Sequence, residues 1–242
     1  MRALVLSGGG MFGAWQAGAW TALAPRWRPD LIVGASVGSL NGYLIASGAD
    51  GEALPGHWRR EPRSKLSRLS RDLREITDRY RPRLDFAVVA TELPRLKARI
   101  FRGGEVDWRH LAASCAIPMV IAPVRIDGRL YADGGLLNPL PVWAAVELGA
   151  TEIVALHALP EIPSWWLKPP AHAFRRVFGV NPALPSGVSC TTVLPNRRLG
   201  SMNDALNWKR ANIERWIEQG HGDASRILLS QSVDPKRAAG SV

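Results

Sequence analysis

The sequence predicts an α/β fold with a mainly parallel sheet and helices on both of its faces. Short apolar segments typical of strands alternate with helical segments, and two of these strands end in glycine-rich turns that lead directly into helices. The chain has 242 residues, of which 46% are hydrophobic, enough for one large core. We therefore expect a single domain over residues 1–230, followed by a flexible tail over residues 231–242.

The first two predicted units share the order strand, turn, helix. Ala3–Leu6 is an apolar strand, followed by the loop GGGMFG and a helical stretch, Gly13–Leu23, which Pro25 ends. Leu31–Val33 is the next strand, and the turn GASVG leads from it into a helix of small residues, Ser39–Ala46. These repeated units indicate parallel neighbouring strands.

The middle of the chain continues the alternation after a polar, basic insert over residues 50–83 that is predicted to be partly helical. Phe86–Thr91 is a β-branched strand, and a later helix is capped by Asp107 and stopped by Pro118. The dipeptide Asp127-Gly128 predicts a hairpin between two short strands.

Less pattern is present in the last third. Pro141–Leu148 is predicted as a helix and Ile153–Leu156 as a buried strand, before a proline-interrupted loop over residues 160–185 that includes two adjacent tryptophans. The sequence SCTTVLP is typical of an edge strand. Asn203–Gln219 is predicted to be a helix that packs its apolar face on the core.

The net charge of +10 is concentrated in one segment. Residues 59–83 contain ten basic and four acidic residues and so supply +6. A solvated helical face explains such a run, and attraction to an anionic membrane surface is the alternative. We expect no nucleic-acid partner, and the sequence makes no prediction of oligomeric state.

Cysteine content and hydropathy indicate a cytoplasmic protein, with the membrane contact limited to its periphery. Cys115 and Cys190 are too few for a disulfide framework and lack the spacing of metal ligands, so we expect buried, small apolar side chains and a reducing compartment. The uncharged stretches over residues 3–25 and 31–49 are broken by glycine and polar residues. Neither is therefore expected to be a signal sequence or a membrane helix.

The turn GASVG matches the pattern G-x-S-x-G between a strand and a helix. In this context small residues beside the serine, here Gly34 and Gly38, allow a strained turn that exposes the hydroxyl of Ser36 as a nucleophile. The alternative is that Ser36 only caps the helix that follows.

A serine nucleophile needs a base, and none of the five histidines is well placed in the sequence to supply it. Asp133 directly follows the strand Leu130–Ala132 and precedes Gly134 and Gly135, which allow a partner to approach closely. A carboxylate in a dry cleft can accept the serine proton. The alternative is ordinary turn chemistry, because Asp-Gly is a common turn dipeptide.

The loop GGGMFG is interpreted as an oxyanion hole. Backbone N–H groups stabilise the negative charge that acyl transfer places on the former carbonyl oxygen. Gly8, Gly9, Gly10 and Met11 are the candidate donors, and Gly13 supports the loop. The loop also matches the dinucleotide fingerprint G-x-G-x-x-G, but the second strand does not end in the acid that would bind a ribose.

Four motifs together resemble the patatin-like phospholipases, which are serine lipid acyl hydrolases with a Ser-Asp dyad. They are GGGMFG, GASVG, ASCAIP (113–118) and DGGLLNPLPV, and they span roughly residues 3–157 in the family's order and spacing. The resemblance implies a three-layer α/β/α sandwich and a lipid or acyl ester substrate. It further implies hydrolysis of fatty acyl esters through an acyl-enzyme, with no metal or cofactor. It also implies Ser36 as nucleophile, Asp133 as base, and the amides of Gly9, Gly10 and Met11 as oxyanion donors.

One position departs from the family pattern, which usually has Arg or Lys where this chain has Phe12. We expect Phe12 to make the entrance of the site apolar and so to favour neutral esters over diacyl phospholipids. A second function also stays open, that of a catalytically silent relative that keeps the fold and binds lipid or a partner.

Overall fold

The computed structural model describes residues 1–60, 69–161, 176, 179 and 182–233. It contains an eight-stranded mixed sheet. The strands are β1 (Arg2–Leu6), β2 (Leu31–Ala35), β3 (Asp85–Leu93), β4 (Lys97–Arg102), β5 (Val124–Ile126), β6 (Arg129–Ala132), β7 (Glu152–Leu156) and β8 (Ser189–Val193).

The helices within the described ranges occur where the strand-helix alternation predicts them, with shifts of a few residues at their ends. They are α1 (Gly13–Leu23), α2 (Val37–Ala46), α3 (Ala53–Arg59), α4 (Leu69–Arg79), α5 (Trp108–Ser114), α6 (Val142–Glu147), α7 (Met202–Leu206) and α8 (Arg210–Val233). The predicted helix Asn203–Gln219 is two helices, α7 and α8. Because α8 continues to Val233, the first three residues of the predicted tail are helical, and residues 234–242 lie outside the described part.

Strand order gives a mixed sheet in which five of the eight strands are parallel, so the predicted mainly parallel sheet is confirmed. Strands β3, β2, β1, β7 and β8 lie side by side in parallel. Strands β4 and β6 each run antiparallel to β3, and β5 and β6 form the predicted hairpin. Its turn residues, Asp127 and Gly128, have φ angles of 46° and 79°, which such a tight hairpin turn requires.

The sheet has a buried layer on each face, as the three-layer prediction requires. The larger core lies under α1, α2 and α8 and includes the fully buried Trp15 and Trp216. The smaller core lies between the sheet and α6. Helix α8 is fixed to α1 by a buried hydrogen bond of 2.8 Å from Trp15 Nε1 to Asp223. The carboxyl ends of β1 and β2 therefore open between packed helices, at the same end of the molecule.

Candidate active site

Ser36 occupies a strained turn between β2 and α2. Its φ of 53° and ψ of −131° are rare for a residue with a side chain and cost about 1–3 kcal/mol. The hydroxyl makes no capping hydrogen bond to α2, which removes the alternative that Ser36 serves only as a cap. The Ser36 carbonyl instead accepts hydrogen bonds from the amide and hydroxyl of Ser39, at 2.8 and 2.6 Å. The turn is therefore held by its backbone, and the Ser36 hydroxyl is left for other contacts.

The predicted supporting glycines lie where a Cβ atom would have no room. At Gly38 a Cβ atom would collide with the carbonyl of Leu6. Because glycine has no Cβ, α2 can begin this close to the end of β1. The same holds for the others, which approach backbone or buried side chains: Gly13 against Trp58, Gly34 against Gly38, Gly134 against Val89, and Gly135 against the Asp133 carboxylate. Close packing therefore explains four of these glycines, and Gly135 leaves little space beside the Asp133 carboxylate.

Strand β3 determines how near Asp133 comes to Ser36. Because Thr91 and Glu92 pair with both β4 and β6, those two strands flank opposite edges of β3, and β6 shares an edge with β2. Strand β2 ends where Ala35 pairs with Val89, and β6 ends, from the other direction, where Ala132 pairs with Thr91. The strands meet end to end, about 7 Å apart along β3. Ser36 directly follows β2, and Asp133 directly follows β6.

Ser114, the last residue of α5, connects the two turns. Its hydroxyl accepts a hydrogen bond of 2.8 Å from the Ser36 amide and donates one of 2.7 Å to the Val89 carbonyl. Its carbonyl accepts a hydrogen bond of 3.1 Å from the Gly134 amide. The motif ASCAIP therefore contains a bridge between the nucleophile turn and the aspartate turn.

The Asp133 side chain is held in a fixed orientation. Its Oδ1 accepts a 2.7 Å hydrogen bond from the Gly135 amide, and its carbonyl accepts one of 2.9 Å from the Thr91 hydroxyl. The Asp133 amide donates to the Ala116 carbonyl at 2.9 Å. The residue is 8% exposed, so its carboxylate lies in a largely dry place.

Cys115 lies beside both predicted catalytic residues. Burial raises the pKa of its thiol to about 12, and the nearby Asp133 charge adds to the effect. The hydroxyls of Ser39 and Ser36 lie within hydrogen-bonding reach of the sulfur. The thiol is consequently neutral at physiological pH and forms an uncharged wall of the site, as expected for a buried cysteine.

The glycine loop turns tightly beside Ser36. Gly10–Phe12 forms a short 3₁₀ turn, and Gly10 has a φ of 58°, a conformation that glycine adopts without strain. The Gly8 amide donates a 2.9 Å hydrogen bond to the Pro139 carbonyl. Among the residues that the structure describes, the amides of Gly9, Gly10 and Met11 donate to no other part of the protein. Three amide donors are therefore available at this turn.

A chain of buried polar side chains supports the loop from below, and sequence patterns gave no signal for it. Gln16 donates to the Ser7 carbonyl at 2.8 Å and accepts from Asn41 at 2.9 Å. Asn41 also donates to the Gly13 carbonyl and accepts from Trp58 Nε1, each at 2.9 Å. This network ties the helices α1, α2 and α3 together around the start of α1.

The prediction for Phe12 is wrong. Its side chain is 1% exposed and packs edge-on against Trp216, with the ring centroids 5.0 Å apart. Phe12 therefore belongs to the core between the glycine loop and α8. It does not make the entrance of the site apolar, so the expected preference for neutral esters loses its basis.

His110 has its own partner at the other end of helix α5. His110 Nδ1 is 2.8 Å from Asp107 at the beginning of α5, whereas Ser114 ends that helix. His172 and the tryptophan pair of the proline-interrupted loop lie outside the described residues. In the ranges with described coordinates, no three His, Cys, Asp or Glu residues are grouped so that they could hold a metal ion. No helix in those ranges has both the length and the apolar character that crossing a membrane needs.

Comparisons with known proteins identify a family model and relatives of this chain. A family model described as patatin-like phospholipase matches residues 4–106 and 107–146. An uncharacterized NTE family protein of Mycobacterium tuberculosis is 30% identical over 213 residues, which cover 75% of this chain and 58% of that protein. Patatin-like phospholipase domain-containing protein 7 of Rattus norvegicus is 28% identical over 183 residues, covering 64% of this chain and 13% of the rat protein. The chain thus spans little more than half of the mycobacterial protein.

The fold has a solved counterpart in VipD of Legionella pneumophila. The TM-score is 0.51 with 12% sequence identity, and the match covers 95% of this chain and 67% of VipD. At that identity the likeness concerns the fold alone. The family model, in contrast, covers more than half of the chain and includes the glycine loop, the serine turn and the Asp-Gly-Gly turn. This chain belongs to the patatin-like phospholipase family.

Proposed function

We propose that the protein is a lipid acyl hydrolase that cleaves carboxylic esters through an acyl-enzyme on Ser36. The observation that carries the proposal is the end-to-end meeting of β2 and β6 on one edge of β3, which brings the strained Ser36 turn and the buried Asp133 together. Family membership supports a lipid ester as the class of substrate.

In the proposed reaction, Asp133 accepts the proton of the Ser36 hydroxyl as the oxygen attacks the ester carbonyl. The tetrahedral intermediate collapses, the alcohol leaves with that proton, and the acyl group remains on Ser36. Water then attacks the acyl-enzyme, Asp133 accepts a proton from it, and the fatty acid is released as Ser36 recovers its hydrogen. The neutral Cys115 thiol takes no part in proton transfer.

We narrow the proposed oxyanion donors to the amides of Gly9, Gly10 and Met11. The Gly8 amide is already used by the Pro139 carbonyl, whereas these three are available. A Cβ built on Gly8 would lie 3.3 Å from Ser36 Cβ, so the loop and the serine are close neighbours. The role of Gly8 is then to allow this approach. Preorganised donors of this kind contribute about 3–4 kcal/mol each to transition-state stabilisation.

The basic segment over residues 59–83 adds long-range attraction to anionic membrane surfaces in this proposal. Its described residues do not form one patch beside the site. Arg59 pairs with Glu214 at 3.0 Å, and the Arg83 amide donates to the carbonyl of Ala46, the last residue of α2. Arg83 is thus about 15 Å of helix away from Ser36. Residues 61–68 lie outside the described part of the chain.

The test of the chemistry uses Ser36→Ala and Asp133→Asn against matched controls. Each should lower kcat for a soluble short-chain acyl ester by several orders of magnitude without changing thermal unfolding. Ser47→Ala removes a hydroxyl at the far end of α2, and Asp127→Asn changes a carboxylate in the exposed hairpin turn; both should retain activity. Fluorophosphonate labelling that persists in Ser36→Ala would contradict the assignment. A folded wild-type chain with no hydrolysis would favour the silent, lipid-binding alternative.

A further inference from the structure

The loop over residues 117–123 presents apolar side chains to solvent beside the candidate active site. Its sequence, IPMVIAP, has no polar side chain. Met119 is fully exposed and Val120 is 47% exposed. Exposed apolar residues that occur singly are ordinary, but two adjacent ones within an entirely apolar loop indicate a surface that another apolar phase covers.

The 117–123 loop has a defined backbone conformation. The amides of Val120 and Ile121 both donate to the Ile117 carbonyl, at 3.1 and 2.9 Å. Met119 has a φ of 67°, which is uncommon for a residue other than glycine, and its side chain is fully exposed. The loop is therefore built to hold Met119 outward rather than to bury it.

The loop is attached directly to the candidate catalytic residues. It begins after Ala116, whose carbonyl accepts the Asp133 amide at 2.9 Å, and Cys115 lies against Ser36. It ends at Val124, the first residue of β5, which pairs with Tyr131 of β6. A phase that covers the loop would consequently lie next to the site.

A cluster of arginines lies on the same side of the sheet. The buried Glu92 carboxylate contacts Arg99 at 2.7 Å, Arg129 at 3.3 Å and Arg95 at 3.4 Å. Hydrogen bonding by Arg99 lowers the pKa of Glu92, which therefore stays ionised and leaves the cluster with a net charge of +2. The three arginine side chains are 47%, 53% and 66% exposed, so they can also contact anions in solution.

The register relates this cluster to the loop. Glu92 pairs directly with Tyr131, so Glu92, Tyr131 and Arg129 point to one face of the sheet. Helix α5 packs on that face, because Ala113 shares a cluster with Tyr131 and Ile126. The 117–123 loop follows α5. The 117–123 loop and the arginine cluster thus lie at the same end and on the same face of the molecule.

From this arrangement we propose that the 117–123 loop and the arginines around Glu92 form the surface by which the protein docks on a bilayer containing anionic phospholipid. Met119 and Val120 enter the acyl region, and the arginines contact lipid phosphates around them. The inference rests on the proposed function, since docking here would place lipid esters beside Ser36. The charge complementarity and the apolar tip select a bilayer over a second protein.

The experiment compares Met119→Asp with Leu84→Asp, because Leu84 is 40% exposed at the opposite end of the molecule. Aspartate tolerates the positive φ of residue 119. In co-sedimentation with vesicles of phosphatidylcholine and phosphatidylglycerol, the affinity of Met119→Asp for vesicles should be lower than that of wild type by a factor of at least about ten. Leu84→Asp should bind like wild type. Arg95→Gln should weaken binding about fivefold, more than Arg79→Gln on α4.

Activity measurements separate this inference from the proposed chemistry. Met119→Asp should keep the wild-type kcat/KM for a soluble short-chain ester and lose activity on vesicle phospholipid. If wild type binds vesicles but hydrolyses neither substrate, the proposed function fails and the docking surface stands. If Met119→Asp binds vesicles like wild type, the docking surface fails. It also fails if Met119→Asp and Leu84→Asp weaken vesicle binding to the same extent.

A fluorescence measurement covers the case in which Met119→Asp does not fold. An environment-sensitive dye on Met119→Cys, in a Cys190→Ser background, should shift to the blue with anionic vesicles, whereas the same dye on Leu84→Cys should not. A dye at residue 119 that is unaffected by vesicles would overturn the proposal. So would a wild-type dimer that Met119→Asp dissociates while vesicle binding is unchanged, since the loop would then contact a second copy of the chain.

Discussion

Replacement of Ser114 by alanine removes the bridge between the two turns of the site. The Ser114 hydroxyl is completely buried, accepts from the Ser36 amide at 2.8 Å and donates to the Val89 carbonyl at 2.7 Å. Ser114→Ala leaves both groups without this partner and leaves the strained Ser36 turn with one fewer restraint. Because Ser114 would act through Ser36, it is a positioning residue.

The magnitude follows from two buried hydrogen bonds. Leaving a buried polar group without its partner costs about 1–3 kcal/mol, so we expect a loss of about 2–4 kcal/mol in the free energy of unfolding. For a chain of this size that corresponds to a fall in Tm of about 5–15 °C. A displacement of Ser36 approaching 1 Å would lower kcat by about ten- to a hundredfold.

Thermal unfolding and steady-state kinetics on a soluble ester measure the two effects separately. Below the Tm of the variant, kcat should fall and KM should stay the same, because the bridge does not face the substrate. Ser47→Ala deletes a similar hydroxyl, bonded to the Tyr43 carbonyl at 2.8 Å, and should leave kcat unchanged. A Ser114→Ala protein that loses stability as expected but keeps the wild-type kcat would refute the positioning role.

Two further predictions concern buried side chains. Phe12→Arg should lower the free energy of unfolding by at least about 3 kcal/mol, because it forces a charge against Trp216. Chemical denaturation measures this loss, with Phe12→Leu as the control. Equal stability of the two variants would show that residue 12 is not in the core. Glu92 has a folded-state pKa below its ordinary 4.5, so its stabilising contribution is present above that pH and is lost as the pH falls through the folded pKa. Glu92→Gln should therefore have a lower free energy of unfolding than wild type at neutral pH, and this free energy should fall less as the pH is lowered. Urea denaturation at several pH values measures both effects. Glu75→Gln, on the exposed side of α4, is the control and should follow the wild-type curve.

Local patterns in the sequence were sufficient for much of this fold. The turn GASVG predicted a strained serine because a small residue on either side is a local requirement, and the hairpin at Asp127-Gly128 depends on only two residues. The mixed character of the sheet was not predictable in this way. It depends on β6 returning to the edge of β3 that β2 already occupies, and nothing local specifies that pairing.

Contacts between distant parts of the chain account for what the sequence did not predict. Phe12 is buried because Trp216 of α8 lies beside it, and no nearby residue indicates this. Gly8 is bonded to Pro139 for the same kind of reason. The arginine cluster brings together residues from β4, β6 and the β3–β4 turn around Glu92, so in the sequence they are only scattered basic residues.

Because β2 and β6 pair with the same edge of β3, this one strand determines the spacing between Ser36 and Asp133. Insertions in α4, in the β5–β6 hairpin or after β7 would leave the interval from Val89 to Thr91 unchanged, and with it the spacing of Ser36 and Asp133. Deleting a single residue inside that interval would instead shift one strand end by about 3.3 Å and turn Glu92 to the opposite face. Tolerance to length variation in this fold is therefore expected to be lowest in three consecutive residues of a buried strand, where the serine turn and the aspartate turn both end.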